Sequence, residues 1–132
     1  MSVATAIYYL LEQNAGVTAL VSTNVSPKRT GQTIAPPYIT YSIISTVGNE
    51  TKDQVSLLDK VRVQLDIYAS TKIAADDIAA AVRTALDMAS TTHDTHLQSI
   101  RFFNEMDGDF DDSALLDGLY RVIQEYNVMV YR

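Results

Sequence analysis

The sequence predicts an α+β fold, in which two main helices pack on one face of a mainly antiparallel four-stranded sheet. The central evidence is the segment from Val61 to Ala69, where apolar and polar residues alternate with the period of two that a half-buried strand shows. Directly after it the apolar period changes to about 3.6, which predicts a helix from Thr71 to Met88. The order of segments, helix, strand, strand, helix, strand, strand, is typical of a sheet with helices on one side.

The chain begins with a predicted helix over residues 3–13. Ser2 is placed to cap it, and Asn14 to Gly16 supplies a stop. Val17 to Val21 is apolar and predicts one or two further helical turns. The apolar stripe of the first helix contains Val3, Ile7, Leu10 and Leu11.

Two strands with a connecting loop are predicted next. Thr23 to Pro37 is rich in turn-forming and polar residues and predicts a surface loop, in which Val25 and Ser26 could add a short edge strand to the sheet. Residues 38–47 are rich in β-branched and aromatic residues and predict the first long strand. It is expected to pair antiparallel with residues 60–69.

Gly48 to Asp59 is predicted to be the loop between these two strands, because its start is polar and charged. Such a long loop commonly moves or binds something. The apolar Val55, Leu57 and Leu58 favour contact with a partner, and the alternative is that they fold back on their own domain.

The second half of the chain predicts one helix and two more strands. Ser70 or Thr71 caps the helix, and Ala89 to Thr95 reads as a loop. Residues 97–103 predict the third strand, and the acidic residues 104–118 predict a loop. Residues 119–132 predict the last strand, with Tyr120, Val122, Tyr126, Val128 and Val130 on one face and Arg121, Glu125, Asn127 and Tyr131 on the other.

Composition bounds the class of protein. The 132 residues fit one domain, spanning 1–132, and 47% hydrophobic with 20% charged residues is ordinary for a globular protein. The absence of cysteine excludes disulfides and thiolate chemistry and fits a reducing cytoplasm. The N-terminus lacks the basic region and apolar stretch of a secretory signal. A net charge of −6 disfavours general adhesion to nucleic acid or to an anionic membrane.

Two clusters resemble metal sites without completing the pattern. Alternating acids from Asp107 resemble the start of a calcium loop, but Asp112 stands at the position of the turn glycine and Gly118 at that of the bidentate glutamate. His93 and His96 have a spacing suited to one metal, without an obvious third ligand. A small metal-binding or hydrolytic module that uses residues 105–112 and these histidines is therefore the alternative. We expect a non-enzyme with no cofactor.

Charges of both signs alternate on the polar strand faces. Arg62 and Asp66 lie on one predicted strand face with Gln64, and Arg121, Glu125 and Arg132 lie on another. Opposite charges on neighbouring strands can pair. Such a face is either simply solvated or suited to meeting a second copy of the chain.

Five segments, taken in their order along the chain, resemble the tail-completion proteins of long-tailed bacteriophages and prophages. The segments are Ala6 to Leu11 with Leu20-Val21, Ala35 to Tyr41, Arg62 to Ala69, Ala80 to Asp87, and Gly118 to Val122. The resemblance implies a structural protein of the virion, assembled in the bacterial cytoplasm, that forms a hexameric ring at the head-proximal end of the tail. It also implies three partners: further copies of itself, the head-tail connector protein and the major tail tube protein. Genomic DNA would pass through without sequence-specific binding, and no membrane is involved. A further alternative stays open, namely an adaptor in another contractile or secretion machine derived from phage tails.

This resemblance and the residue patterns together suggest where contacts form. We expect the 48–59 and 104–118 loops to become ordered against neighbouring subunits, the connector or the tube. The candidate interaction residues are Val55, Leu57, Leu58, Arg62, Asp66, Asp107, Asp109, Asp111 and Asp112.

Overall fold

The computed structural model describes residues 3–21, 25–27, 37–50, 55–90, 97–108 and 120–131. These residues form three helices, α1 (Val3–Glu12), α2 (Ala15–Val21) and α3 (Lys72–Leu86), and five strands. The strands are β1 (Val25–Pro27), β2 (Tyr38–Glu50), β3 (Val55–Ala69), β4 (Leu97–Asp107) and β5 (Tyr120–Tyr131). None of the described helices is long and apolar enough to cross a membrane.

The described strands form one sheet in the order β1-β2-β3-β5-β4. The neighbours from β2 to β4 are antiparallel, and β1 pairs in parallel with the start of β2. The helices share one buried cluster with the apolar side chains of one sheet face. This confirms the α+β class, the antiparallel pairing of residues 38–47 with 60–69, and the short edge strand.

β3 and α3 form the centre of the core, as the change of period predicts. Val61, Val63, Leu65 and Ile67 are between 0% and 3% exposed. Burying each such side chain contributes about 1.5–3 kcal/mol. The buried face of α3 contains Ala75, Ile78, Ala79, Val82 and Leu86. Its alanines allow the helix to lie close to the sheet.

Asn14 separates the first two helices and begins the second. Its side-chain Oδ1 accepts a hydrogen bond from the backbone N–H of Val17 at 3.1 Å. This satisfies one of the free N–H groups of the first turn of α2, as an N-cap side chain does. The predicted stop after α1 is therefore also a start signal, and the helical turns predicted at Val17 to Val21 begin at Ala15.

The prediction of a loop from Gly48 to Asp59 is wrong over most of that range. β2 continues to Glu50 and β3 begins at Val55, with the pairs Gly48↔Asp59 and Glu50↔Val55 between them. Polar residues with low strand propensity are held here by cross-strand pairing, which outweighs intrinsic preference. A register shift at Gly48/Glu50 breaks the simple alternation that would have indicated a strand here.

β4 is also longer than predicted and ends at Asp107 instead of residue 103. A register shift between Phe102 and Asn104 hides its period of two, while pairing with β5 continues to Asp107↔Val122. The first residues of the predicted 104–118 loop are therefore strand. Residues 109–119 lie outside the described part of the chain.

The end of α3 is fastened to β4 by main-chain and side-chain hydrogen bonds. Met88 takes a left-handed conformation with φ 67°, and its N–H donates to the carbonyl of Ile100 at 2.7 Å. The N–H of Ile100 donates to the carbonyl of Ala89 at 3.1 Å. Asp87 Oδ1 accepts from the N–H of Phe102 at 2.9 Å. These contacts occupy part of the outer edge of β4, a strand that has β5 on its other side.

Candidate interaction surfaces

The helices cover only one face of the sheet, and we call the opposite face the open face. Arg62 and Asp66 of β3 belong to it, because the alternate residues Val61, Val63, Leu65 and Ile67 point into the core. The register with β5 places Tyr68 opposite Arg121 and Gln64 opposite Glu125 on this face. The polar alternation predicted from the sequence is therefore present on neighbouring strands.

Asp66 is buried on the open face, so simple solvation, one of the two alternatives considered for this face, does not describe this residue. It is 1% exposed, and Tyr68 beside it is 7% exposed. Asp66 Oδ2 accepts from Arg121 Nη2 at 2.9 Å, and Oδ1 accepts from Gln64 Nε2 at 2.8 Å. The predicted cross-strand pairing of opposite charges is thus confirmed, and it satisfies a carboxylate that burial would otherwise penalise.

The surroundings of Arg121 hold its side chain over this site. The ring of Tyr68 lies 5.8 Å from the Arg121 guanidinium carbon, and Tyr38 stacks on Tyr68 with 4.8 Å between ring centroids. The N–H of Gly108 donates to the Arg121 carbonyl at 2.8 Å. A Cβ on Gly108 would come within 2.8 Å of Arg121 Cδ, so a residue without a side chain is required for this approach.

Arg62 joins three strands on the open face. Its guanidinium carbon lies 3.9 Å from the centroid of the Phe103 ring on β4, and its Nε donates to Asn127 Oδ1 on β5 at 3.3 Å. Phe103 is nonetheless 48% exposed. The predicted interaction residue therefore lies on an accessible aromatic and cationic patch.

Asp107 is the one member of the predicted acidic cluster that the structure describes, and its carboxylate forms an ion pair with a lysine. Lys72 Nζ contacts Asp107 Oδ1 at 2.6 Å and Asp76 Oδ1 at 2.8 Å. These hydrogen bonds, that to Asp107 first, raise the pKa of Lys72. The contacts tie the end of β4 to the start of α3. They weigh against a cation site that uses Asp107.

The structure describes neither the other predicted metal ligands nor the side chains of the apolar residues predicted to contact a partner. Asp109, Asp111, Asp112, His93 and His96 lie outside the described residues. Among the residues that are described, no group of three or more acidic or histidine side chains could hold a metal ion. The backbone of Val55, Leu57 and Leu58 belongs to β3, and their contact with a partner stays a prediction.

A buried polar group under α3 was not anticipated from the sequence. Gln124 is 0% exposed, and its Nε2 donates to the Ala79 carbonyl at 2.9 Å and to Glu105 Oε1 at 2.8 Å. Its Oε1 accepts from the hydroxyl of Tyr126 at 2.9 Å. Burial, with a smaller contribution from the charge of Asp87, raises the pKa of Tyr126. Strict alternation along β5 is the signal that could have placed Gln124 between two core residues.

The described residues thus define a small α+β protein with an open sheet, whose polar groups pair with one another across strands and helices. The family model described as "Tail completion protein gp17" matches residues 5–131. The chain therefore belongs to this family of tail completion proteins and is a structural component of a phage-type virion tail.

The fold has a counterpart among solved structures. A chain from the structure titled "Virion of native gene transfer agent (GTA) particle" superposes with a TM-score of 0.78 at 19% sequence identity. The alignment covers 99% of this chain and 96% of that chain. At this identity the likeness shows the shared fold. The comparison with curated proteins found no match.

Proposed function

We propose that this protein completes the tail at its head-proximal end, where it joins the head connector to the tail tube as a ring of six copies. The match to the tail completion family over residues 5–131 is the observation that carries this proposal. The likeness to a chain of a gene transfer agent virion supports a place in a particle of similar design. The partners are other copies of the chain, the connector protein and the major tail tube protein.

The chemistry of the described residues supports a structural and non-enzymatic role. The most deeply buried ionisable groups, Asp66 and Tyr126, are held in pairs that stabilise the fold. Arg62 and Lys72 similarly bridge neighbouring elements. Side chains used in this way position strands and helices, which is what a rigid subunit of a ring requires.

The net charge of −6 suits a ring through which DNA passes. A strongly basic lumen would bind the polyanion and slow its movement, because phosphate contacts dominate affinity for DNA. The protein would then give the DNA a passage without binding a particular sequence. On this proposal, residues 1–132 act as one domain that contributes one unit of the ring.

Electron microscopy of particles made without the gene tests this function. We expect filled heads and separate tails, because the joint between connector and tube is missing. A plasmid-borne copy of the gene should restore joined particles. Joined and infectious particles in the absence of the protein would contradict the proposal.

A double substitution tests the partner contact predicted for the β2–β3 hairpin. Leu57→Asp combined with Leu58→Asp is expected to leave the melting temperature near that of the wild type and to abolish joining. Leu57→Met combined with Leu58→Met, which keeps both residues apolar, is the matched control and should join heads to tails. Thermal destabilisation as large as that of a core substitution would show that these residues stabilise their own subunit instead.

A further inference from the structure

Charge is divided between the two sides of the described part of the molecule. The open face carries Lys60, Arg62, Arg101 and Arg121 against the two carboxylates of Asp66 and Glu125. The remaining described side chains contribute Lys72 and Arg83 against seven carboxylates, those of Glu12, Asp59, Asp76, Asp77, Asp87, Glu105 and Asp107. Among the described residues, the open face is therefore net positive, and the helical side is net negative.

Exposed apolar residues accompany the charges on both sides. On the open face, Val47, Phe103 and Met106 are 57%, 48% and 44% exposed. On the outside of α3, Ile73 is 75% exposed, and Met88, two residues beyond the end of the helix, is 71% exposed. Ile73 lies in a stripe with Asp77, Ala80 and Thr84, since these positions recur at helical spacing, and we call it the α3 stripe.

We infer that the open face of one copy docks on the α3 stripe of the next copy, so that the ring is assembled head to tail. This inference rests on the proposed function, which supplies several copies in one ring. Arg101, on the same face of β4 as Met106, would face Asp77 and its acidic neighbours, while Ile73 covers the exposed apolar side chains. The two surfaces lie on opposite sides of one chain, and repeated use of such a heterologous contact closes a ring when the rotation allows it.

The composition of the open face favours a protein partner over DNA. Aromatic residues, methionine and arginine are the types enriched at protein interfaces. Arg121 is already paired with Asp66, and Arg62 is engaged with Phe103 and Asn127. Glu125 on the same face would repel phosphates. A second copy offers both the acidic charge and the apolar surface that this face needs.

Cross-linking in assembled particles tests the contact, and the chain's lack of native cysteine makes it direct. Particles are prepared with the double variant Ser99→Cys/Ala80→Cys, which keeps Arg101 and Asp77, and treated with a short bis-maleimide. We expect a ladder of covalent oligomers of the chain, because each copy carries one reactive group on each side of the joint. The matched control, Ser99→Cys/Ser45→Cys, has both cysteines on the sheet and should give no ladder.

The outcomes separate this inference from the proposed function. Joined particles that contain the chain but give no ladder with Ser99→Cys/Ala80→Cys overturn the docking and leave the function intact. A ladder from the sheet-only control would overturn it in favour of contact between two open faces. Joined particles that contain none of this protein would overturn the proposed function and the docking together.

Charge exchange gives a second test that does not need cross-linking. Arg101→Glu and Asp77→Arg are each expected to lower the yield of joined particles at least tenfold, and the double variant is expected to recover most of it. Glu12→Arg makes the same charge change as Asp77→Arg outside the α3 stripe and should join normally. Failure of the double variant to recover, with both single variants folded, would contradict the docking.

Discussion

Asp66 shows at the scale of one residue how the open face is held together. Its side chain is 2% exposed, while the Arg121 side chain that neutralises it is 29% exposed. A buried charge of this kind is tolerated only with its partners in place, because its desolvation is costly. The pair also links β3 to β5. The register of these strands brings the two charges together, and their ion pair in turn favours that register.

Asp66→Ala is expected to lower the free energy of unfolding by about 2–3 kcal/mol. Breaking a fully buried ion pair costs about 3–5 kcal/mol, and the partial exposure of Arg121 reduces that cost. Urea unfolding at neutral pH measures the difference. Glu125→Ala, on the same face of β5, is the control and should change it by less than about 0.5 kcal/mol. An equally small effect for Asp66→Ala would show that the buried pair contributes little.

Tyr126 predicts a specific dependence of stability on pH. The folded state holds the neutral phenol, so the pKa of Tyr126 is raised above its ordinary value of 10.0. The unfolded chain then loses this proton first, and the contribution of Tyr126 to stability, complete below pH 10, is lost as pH rises towards the folded pKa. Tyr126→Phe removes this contribution.

Urea unfolding between about pH 7 and about pH 11 tests that expectation. At neutral pH Tyr126→Phe should cost about 0.5–1.5 kcal/mol, because the hydrogen bond to Gln124 is lost. Above pH 10 the variant should lose stability less steeply than the wild type. Parallel curves over the whole range would mean that the hydroxyl is not protected by burial. Tyr120→Phe, at an exposed position, is the control.

Sequence patterns predict well which single residues are buried, where inward and outward residues simply alternate along a strand. The inward residues of β3 and most of those of β5 were predicted correctly, and so was the charge pairing between the two strands. The burial of Asp66 could not be predicted, and for Gln124 alternation indicates the inward face but not the partners, because both residues depend on groups that only the folded sheet brings together. Gln124 needs Ala79 of α3 and Glu105 of β4, and neither is near it in sequence.

At the scale of elements, α3 illustrates how local signals fix a helix. Thr71 has an extended backbone, and its Oγ1 accepts from the N–H of Ala74 at 3.1 Å. Of the two cap residues that the sequence offers, Ser70 and Thr71, the structure uses the second. At the other end, Asp87, Met88 and Ala89 fasten the helix to β4.

Thr71→Ala is expected to destabilise the protein by about 0.5–2 kcal/mol, since the first turn of α3 loses its cap. Thr71→Ser keeps the accepting hydroxyl and should cost much less. Thermal unfolding measures both, and faster hydrogen exchange at Ala74 in the alanine variant would locate the effect. Equal stability of the two variants would show that this hydrogen bond does not hold the helix.

The elements that were mispredicted share a physical cause. β2, β3 and β4 all extend further than their apolar patterns, and register shifts interrupt β2 near Ile43 and Gly48 and β4 near Phe102. A register shift breaks the period of two, and polar residues then resemble a loop. Pairing with a neighbouring strand decides such segments, and a neighbour cannot be identified from local sequence.

At the scale of the whole molecule, the order of elements carries more information than any site. No single motif encodes chemistry, yet the arrangement of five segments suggested the tail completion family, and the family match over residues 5–131 confirms it. The role of the interaction residues stays a prediction, because contacts with other copies and with partners cannot be read from a single chain.

Restoration of joining with purified protein is the sharpest test of the proposal that this protein joins heads to tails. Heads and tails from cells that lack the gene are mixed with increasing amounts of the protein, and joined infectious particles are counted. We expect a steep rise in their number that saturates at a fixed number of copies per particle. The rise should be absent when Leu57→Asp/Leu58→Asp protein is added. Heads and tails that join equally well without the protein would contradict the proposal.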